Sequence, residues 1–85
     1  MKHATAAALD RLTALLAEVR QLGQMKEKSR GVFYYRSKAF LHFHEDPAGL
    51  FADLGIGADW ERMPVNSKNE QAELLRRVRR HLATP

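Results

Sequence analysis

A chain of 85 residues has room for one domain. With 45% hydrophobic and 28% charged residues it has the composition of a globular protein, which excludes a disordered tail, a collagen-like repeat and a multidomain enzyme. A net charge of +4 permits an anionic partner without requiring one, and the absence of Cys excludes a disulfide framework, a thiolate nucleophile and a Cys-based zinc site.

The first predicted element is a helix over residues 5–22. Leu9, Leu12, Leu15, Leu16, Val19 and Leu22 recur at three- and four-residue spacing and form one apolar stripe. Gly23 stands where a left-handed cap belongs. The polar segment Gln24–Arg30 reads as a loop. The period then changes. Residues 31–35 and 38–44 are rich in aromatic side chains, as strands are. Glu45-Asp46-Pro47-Ala48 reads as a turn, residues 49–55 as a third strand and residues 60–65 as a short fourth, with Pro64 confining its end to a sheet edge. The last element is a helix over 67–82. Ser67 and Glu70 make a capping box, and Leu74, Leu75, Val78 and Leu82 line one face.

The order helix, meander, helix predicts an α+β fold. We expect a two-layer sandwich, an antiparallel sheet of three or four strands with both helices on one face. A four-residue loop at 45–48 sets His44 opposite Gly49 and Leu41 opposite Ala52. Ala39, Leu41, Phe43, Leu50, Ala52 and Leu54 then share the core face. A two-residue turn at Arg36-Ser37 adds Val32 and Tyr34 to it. The reverse face carries Phe33, Tyr35, Phe40, His42, His44, Phe51 and Asp53. An open aromatic patch of that kind asks for a partner, unless the Trp60 strand, the 24–30 loop or the C-terminal tail folds over it.

Charge is unevenly placed. Residues 1–44 carry eight basic and three acidic side chains, residues 45–65 five acids and Arg62, and residues 66–85 five basic and two acidic. The run Arg76-Arg77-Val78-Arg79-Arg80 ends a helix, where cations complement the dipole. Lys26, Lys28, Arg30, Arg36 and Lys38 are a different matter. Set beside sheet aromatics, they could hold the phosphates of a single-stranded nucleic acid while the rings stack on bases. Arg30-Gly31-Val32-Phe33-Tyr34-Tyr35 is similar to the aromatic strand of an RNA-recognition motif. It departs from that motif at Val32, and the chain lacks the fold's two βαβ units.

His42-Phe43-His44 places two imidazoles on one face of a strand, as a metal pair requires. Glu45 or Asp53 could add an oxygen, but no third ligand is fixed by spacing. Hydrolytic chemistry has little support: Ser29, Ser37 and Ser67 lie in polar or turn segments, and Glu45 and Asp46 are adjacent and diverge. Gly55-Ile56-Gly57 is a turn and no phosphate-binding fingerprint is present, so no cofactor is expected.

From Phe33 to Asp46 the sequence resembles a small group of conserved bacterial proteins of unknown function, with a core like F-Y-x-(K/R)-S-K-A-F-L-H-F-H-E-D. The likeness continues through Leu50-Phe51-Ala52-Asp53 and Trp60-Glu61-Arg62-Met63-Pro64-Val65 and covers roughly residues 31–82. It implies a bacterial origin and a small cytoplasmic domain, and no activity. The order of elements is also loosely similar to the frataxin-like layout, an analogy of fold that carries no function.

Together these features predict a binding domain in place of an enzyme. Its leading partner is another protein or a second copy of the chain, met by the aromatic–His face. Single-stranded nucleic acid is the alternative, and a metal or small ligand at His42 and His44 the third reading. No apolar run approaches the roughly 18 residues of a membrane span, so no membrane partner is expected. Asp10 and Arg11 interrupt the apolar start before a signal-peptide core forms, and a cytoplasmic location is expected.

Overall fold

The expected first helix forms as two. In the computed structural model, which describes residues 2–83, α1 spans Ala6–Asp10 and α2 spans Thr13–Gln21. Thr13 Oγ1 donates to the Asp10 carbonyl at 2.7 Å, and Leu12 leaves helical geometry at φ −108° and ψ 16°. A threonine hydroxyl that takes a backbone carbonyl competes with the helical ladder at that point. The break does not interrupt the stripe, because Leu9, Leu12, Leu15, Leu16 and Val19 are all buried. Gly23 follows α2 at φ +75°, as a left-handed cap requires.

Six strands and three helices span the described residues, two strands more than the largest number expected from sequence. The strands are β1 (Lys2–His3), β2 (Lys26–Ser29), β3 (Val32–Tyr35), β4 (Lys38–Asp46), β5 (Gly49–Ile56) and β6 (Asp59–Pro64). β2 to β6 form an antiparallel meander in chain order, and β1 pairs with the C-terminal half of β4. The segment expected as the 24–30 loop is therefore largely an edge strand. Its alternation is polar on both sides: Lys26 and Lys28 are exposed, while Glu27 turns inward and is held by Arg20 through bonds of 2.6 and 3.0 Å. Charged side chains on an edge strand discourage pairing with another chain. Gly31 at φ +79° closes the β2–β3 turn, and a Cβ there would meet Leu9 Cδ2 at 2.8 Å.

The β4–β5 turn is tighter than expected. Asp46 pairs with Gly49, so only Pro47 and Ala48 lie in the loop, and Asp46 Oδ2 accepts from the Ala48 amide at 3.0 Å. The register moves by two residues, Leu41 facing Leu54 in place of Ala52. A shift of two preserves every face, and Leu41, Phe43, Leu50, Ala52 and Leu54 are all buried as expected.

The β3–β4 turn does have two residues, Arg36 and Ser37, at φ +53° and +69°. The faces beyond it are not those expected. Tyr34 pairs with Ala39 but Phe33 pairs with Leu41, so Phe40 is the extra residue of a β-bulge. The bulge inverts the alternation. Phe33 is 2% exposed and Phe40 6% exposed, both in the core, while Ala39 is exposed and Val32 and Tyr34 are half-buried. Phe33 and Phe40 thus leave the predicted reverse face, and Ala39, Val32 and Tyr34 leave the predicted core.

α3 spans Lys68–Leu82 and opens on the expected capping box: Ser67 Oγ accepts from the Glu70 amide at 3.1 Å while the Glu70 carboxylate returns to the Ser67 amide. Leu74, Val78 and Leu82 join the leucines of α1 and α2 and the inward residues of β3 to β6 in one buried cluster. Arg77 bridges Glu61 on β6 and Glu73 on its own helix. Among the described residues no helix is long and apolar enough to cross a membrane.

Candidate functional site

Cross-strand pairing assembles the site. His42 on β4 faces Asp53 on β5, which faces Arg62 on β6. One row further, His3 on β1 faces His44, which faces Phe51. Because side chains alternate, these residues share the sheet surface opposite Leu41 and Phe43.

Asp53 anchors the group. It is 5% exposed, and Arg62 Nε and Nη2 each donate to its carboxylate at 2.8 Å. Those hydrogen bonds hold the Asp53 carboxyl below the usual carboxylate range despite its burial. Asp53 Oδ2 lies 3.2 Å from His44 Nε2, which lies 2.8 Å from His42 Nδ1. An ionised carboxylate only accepts, so His44 carries its proton on Nε2. Its Nδ1 then bears the lone pair, and this atom is buried with no hydrogen-bond partner.

Burial pushes both imidazoles below the ordinary histidine range. At His42 the neighbouring His44 adds to the effect; at both rings the Asp53 carboxylate opposes it. With His44 Nε2 as donor, His42 Nδ1 accepts at 2.8 Å, and a metal ion has to displace that contact; neutral imidazoles are the form that binds one.

His3 completes a triad. Its ring centroid lies 4.8 Å from that of His44 and 5.6 Å from that of His42. One nitrogen from each of His3, His42 and His44 lies within 4.8 Å of the others. Nitrogens bound at ~2.0–2.1 Å to a tetrahedral zinc ion stand roughly 3.3 Å apart, so a shift of about 1.5 Å would close the set. His3 is exposed at the start of the sheet and has room to make it. On the other side of His42 the Trp60 indole packs at 4.7 Å between ring centroids, lying over Gly55, where a Cβ would meet its Cζ3 at 3.3 Å.

Of the residues expected on this face, His42, His44, Phe51 and Asp53 are brought together. Phe33 and Phe40 are in the core, and Tyr35 is half-buried against Phe40 at 5.3 Å. Sequence reasoning missed His3, Trp60 and Arg62 as members. A two-residue strand has no periodicity to read, so His3 gave no signal. Trp60 and Arg62 could have been placed by carrying strand parity through a tight turn at Gly57-Ala58.

The basic candidates divide. Lys26, Lys28 and Arg36 gather with Tyr34 around a depression of about 310 Å³, the Lys28 ammonium lying 4.0 Å from the Tyr34 ring centroid. Arg30 is drawn away to Asp10 on α1 at 2.8 Å. Lys38 lies with Arg36 on a second cleft, beside Tyr35 and Trp60.

Comparison of the chain with protein-family models, with curated proteins and with solved structures finds no match.

Proposed function

We propose that this is a binding domain whose sheet surface takes a divalent transition-metal ion on His3, His42 and His44. The observation that carries the reading is the pairing of His3 with His44, which supplies the third imidazole that the H-x-H spacing alone lacks. Asp53 supports it from behind: a carboxylate that accepts the second ring proton of a ligating histidine fixes its tautomer and orientation. Three nitrogen ligands suit zinc, nickel or copper and leave at least one position for water or a further donor.

The test is the imidazole resonances on addition of Zn2+. The reading expects those of His3, His42 and His44 to move together and saturate at one equivalent, while His81 stays in place. Unmoved imidazoles at stoichiometric metal would refute it.

Trp60 favours a second reading of the same surface. At 48% exposure it is the one exposed large hydrophobic side chain among the described residues, and it borders the triad. Self-association through this face predicts a sedimentation coefficient that rises with concentration and ceases to do so in Trp60→Ala. A value independent of concentration in the parent chain, with and without Zn2+, would remove the reading.

A further inference from the structure

Trp60 packs on His42 at 4.7 Å between ring centroids and also lines a second feature, a cleft of about 410 Å³ at the end of the sheet. Tyr35, Phe40 and Trp60 give it aromatic walls, Arg36 and Lys38 reach it from the β3–β4 hairpin, and Asp59 reaches it from the start of β6. Its volume lies in the range of small-molecule sites, and apolar walls with a few convergent polar groups are their usual lining.

The turn itself points to a ligand. A two-residue hairpin with positive φ at both positions is the conformation that Asn-Gly or Gly-Gly adopts at least cost. This chain places Arg36 and Ser37 there, at φ +53° and +69°. Backbone strain held at a cleft rim calls for a reason beyond closing the hairpin. The reason the geometry offers is the guanidinium, which stacks 5.0 Å over Tyr35 with a direction set by the turn. Arg36 also borders the depression that holds Tyr34, Lys26 and Lys28. One cation therefore joins an aromatic cleft to a second aromatic and basic surface.

We propose that this cleft binds a nucleotide, with the base against Trp60, Phe40 and Tyr35 and the phosphate on Arg36 and Lys38. The polarity follows from the charges, which come from different hairpins. Asp59 repels phosphate and can accept from a base N–H, so the anionic end lies toward Arg36. The ligand chemistry, a nucleobase carrying a phosphate, has two sources: a free mononucleotide, or a single strand whose next phosphate runs toward Lys28. The inference stands apart from the metal reading, sharing only Trp60 with it.

Because Trp60 is the single tryptophan, its emission reports the cleft directly. The chain is titrated, with chelator present so that the histidine triad is out of play, against adenosine 5′-monophosphate, uridine 5′-monophosphate, a short oligothymidylate and inorganic phosphate. Saturable quenching by nucleotides is expected, weakened at least tenfold in Arg36→Asn and by raised salt. Arg36→Asn relaxes the turn, so a loss of binding there cannot be put down to unfolding. Oligothymidylate bound at least tenfold more tightly than the mononucleotides, with the gain abolished by Lys28→Gln, assigns a single strand. Equal affinities assign a free nucleotide. No quenching by any nucleotide at millimolar concentration, or quenching indifferent to Arg36→Asn and to salt, would overturn the proposal.

Discussion

The His3 ring lies on the His44 ring with their planes inclined by 26°. The two residues are 41 positions apart in sequence, and they meet because β1 takes the stretch of β4 that β3 does not cover. The contact is held by backbone on both sides. Ala4 donates to the Phe43 carbonyl at 3.0 Å, and the Thr5 amide donates to Glu45 Oε1 at 2.6 Å. Thr5 then caps α1 through its hydroxyl. The third imidazole is thus fixed by the same residues that start the first helix.

Stability should fall as pH falls from 7 to 5 in metal-free buffer. His42 and His44 have folded-state pKa values below their unfolded ones, so the unfolded chain binds more protons in this window. Stability then rises with pH. His3 and Arg62 add to the lowering at both rings, the Asp53 carboxylate draws both values back up, and the Lys2 backbone draws up that of His44. Asp53, itself lowered, contributes stability that is lost only below the ordinary carboxylate range. Melting temperatures across pH 5–7 check the slope. A double His42→Gln, His44→Gln variant should show a flatter profile.

Asp53→Ala should destabilise the fold by about 1–3 kcal/mol, the range for hydrogen bonds to a charged group and for leaving a buried partner unsatisfied. The carboxylate is buried and serves Arg62 and His44 together. Asp53→Asn should cost less in stability yet still weaken metal binding, roughly 10- to 100-fold, because it removes the full charge behind His44. Urea denaturation and a metal titration on the two variants separate the effects.

Gly31→Ala should cost about 1–3 kcal/mol, combining a left-handed backbone with a Cβ driven to within 2.8 Å of Leu9 Cδ2. Gly57 has φ +60°, and a Cβ there would meet nothing within 4 Å, so Gly57→Ala should cost only about 1 kcal/mol. In the opposite direction, Ser37→Gly should stabilise the chain by about 0.5–1 kcal/mol by relieving a positive φ. Urea midpoints of the three variants give the order directly.

Much of this architecture can be read from residue order. The leucine stripe, the Ser67–Glu70 cap and the alternation of Leu41, Phe43, Leu50, Ala52 and Leu54 each follow from a period that burial enforces. What escapes is what no period encodes. The bulge at Phe40 inserts one residue and reverses Phe33 and Tyr34, and nothing local to Lys38-Ala39-Phe40 announces it. β2 forms through backbone pairing with β3 while its side chains remain polar, so it looks like a loop. The site was half legible: His42, His44 and Asp53 follow from strand parity, whereas His3 arrives through a two-residue strand and Trp60 through the last hairpin.

His3, His42 and His44 are proposed to act as one metal site. Isothermal titration of the chain with Zn2+, beside His3→Ala and His44→Ala, tests it most directly. One ion should bind per chain, with affinity reduced by more than roughly tenfold without His3, since loss of a ligand costs at least as much as loss of a group that only supports one, and no saturable binding should remain without His44. Equal binding by all three proteins, or none by the parent, would contradict it.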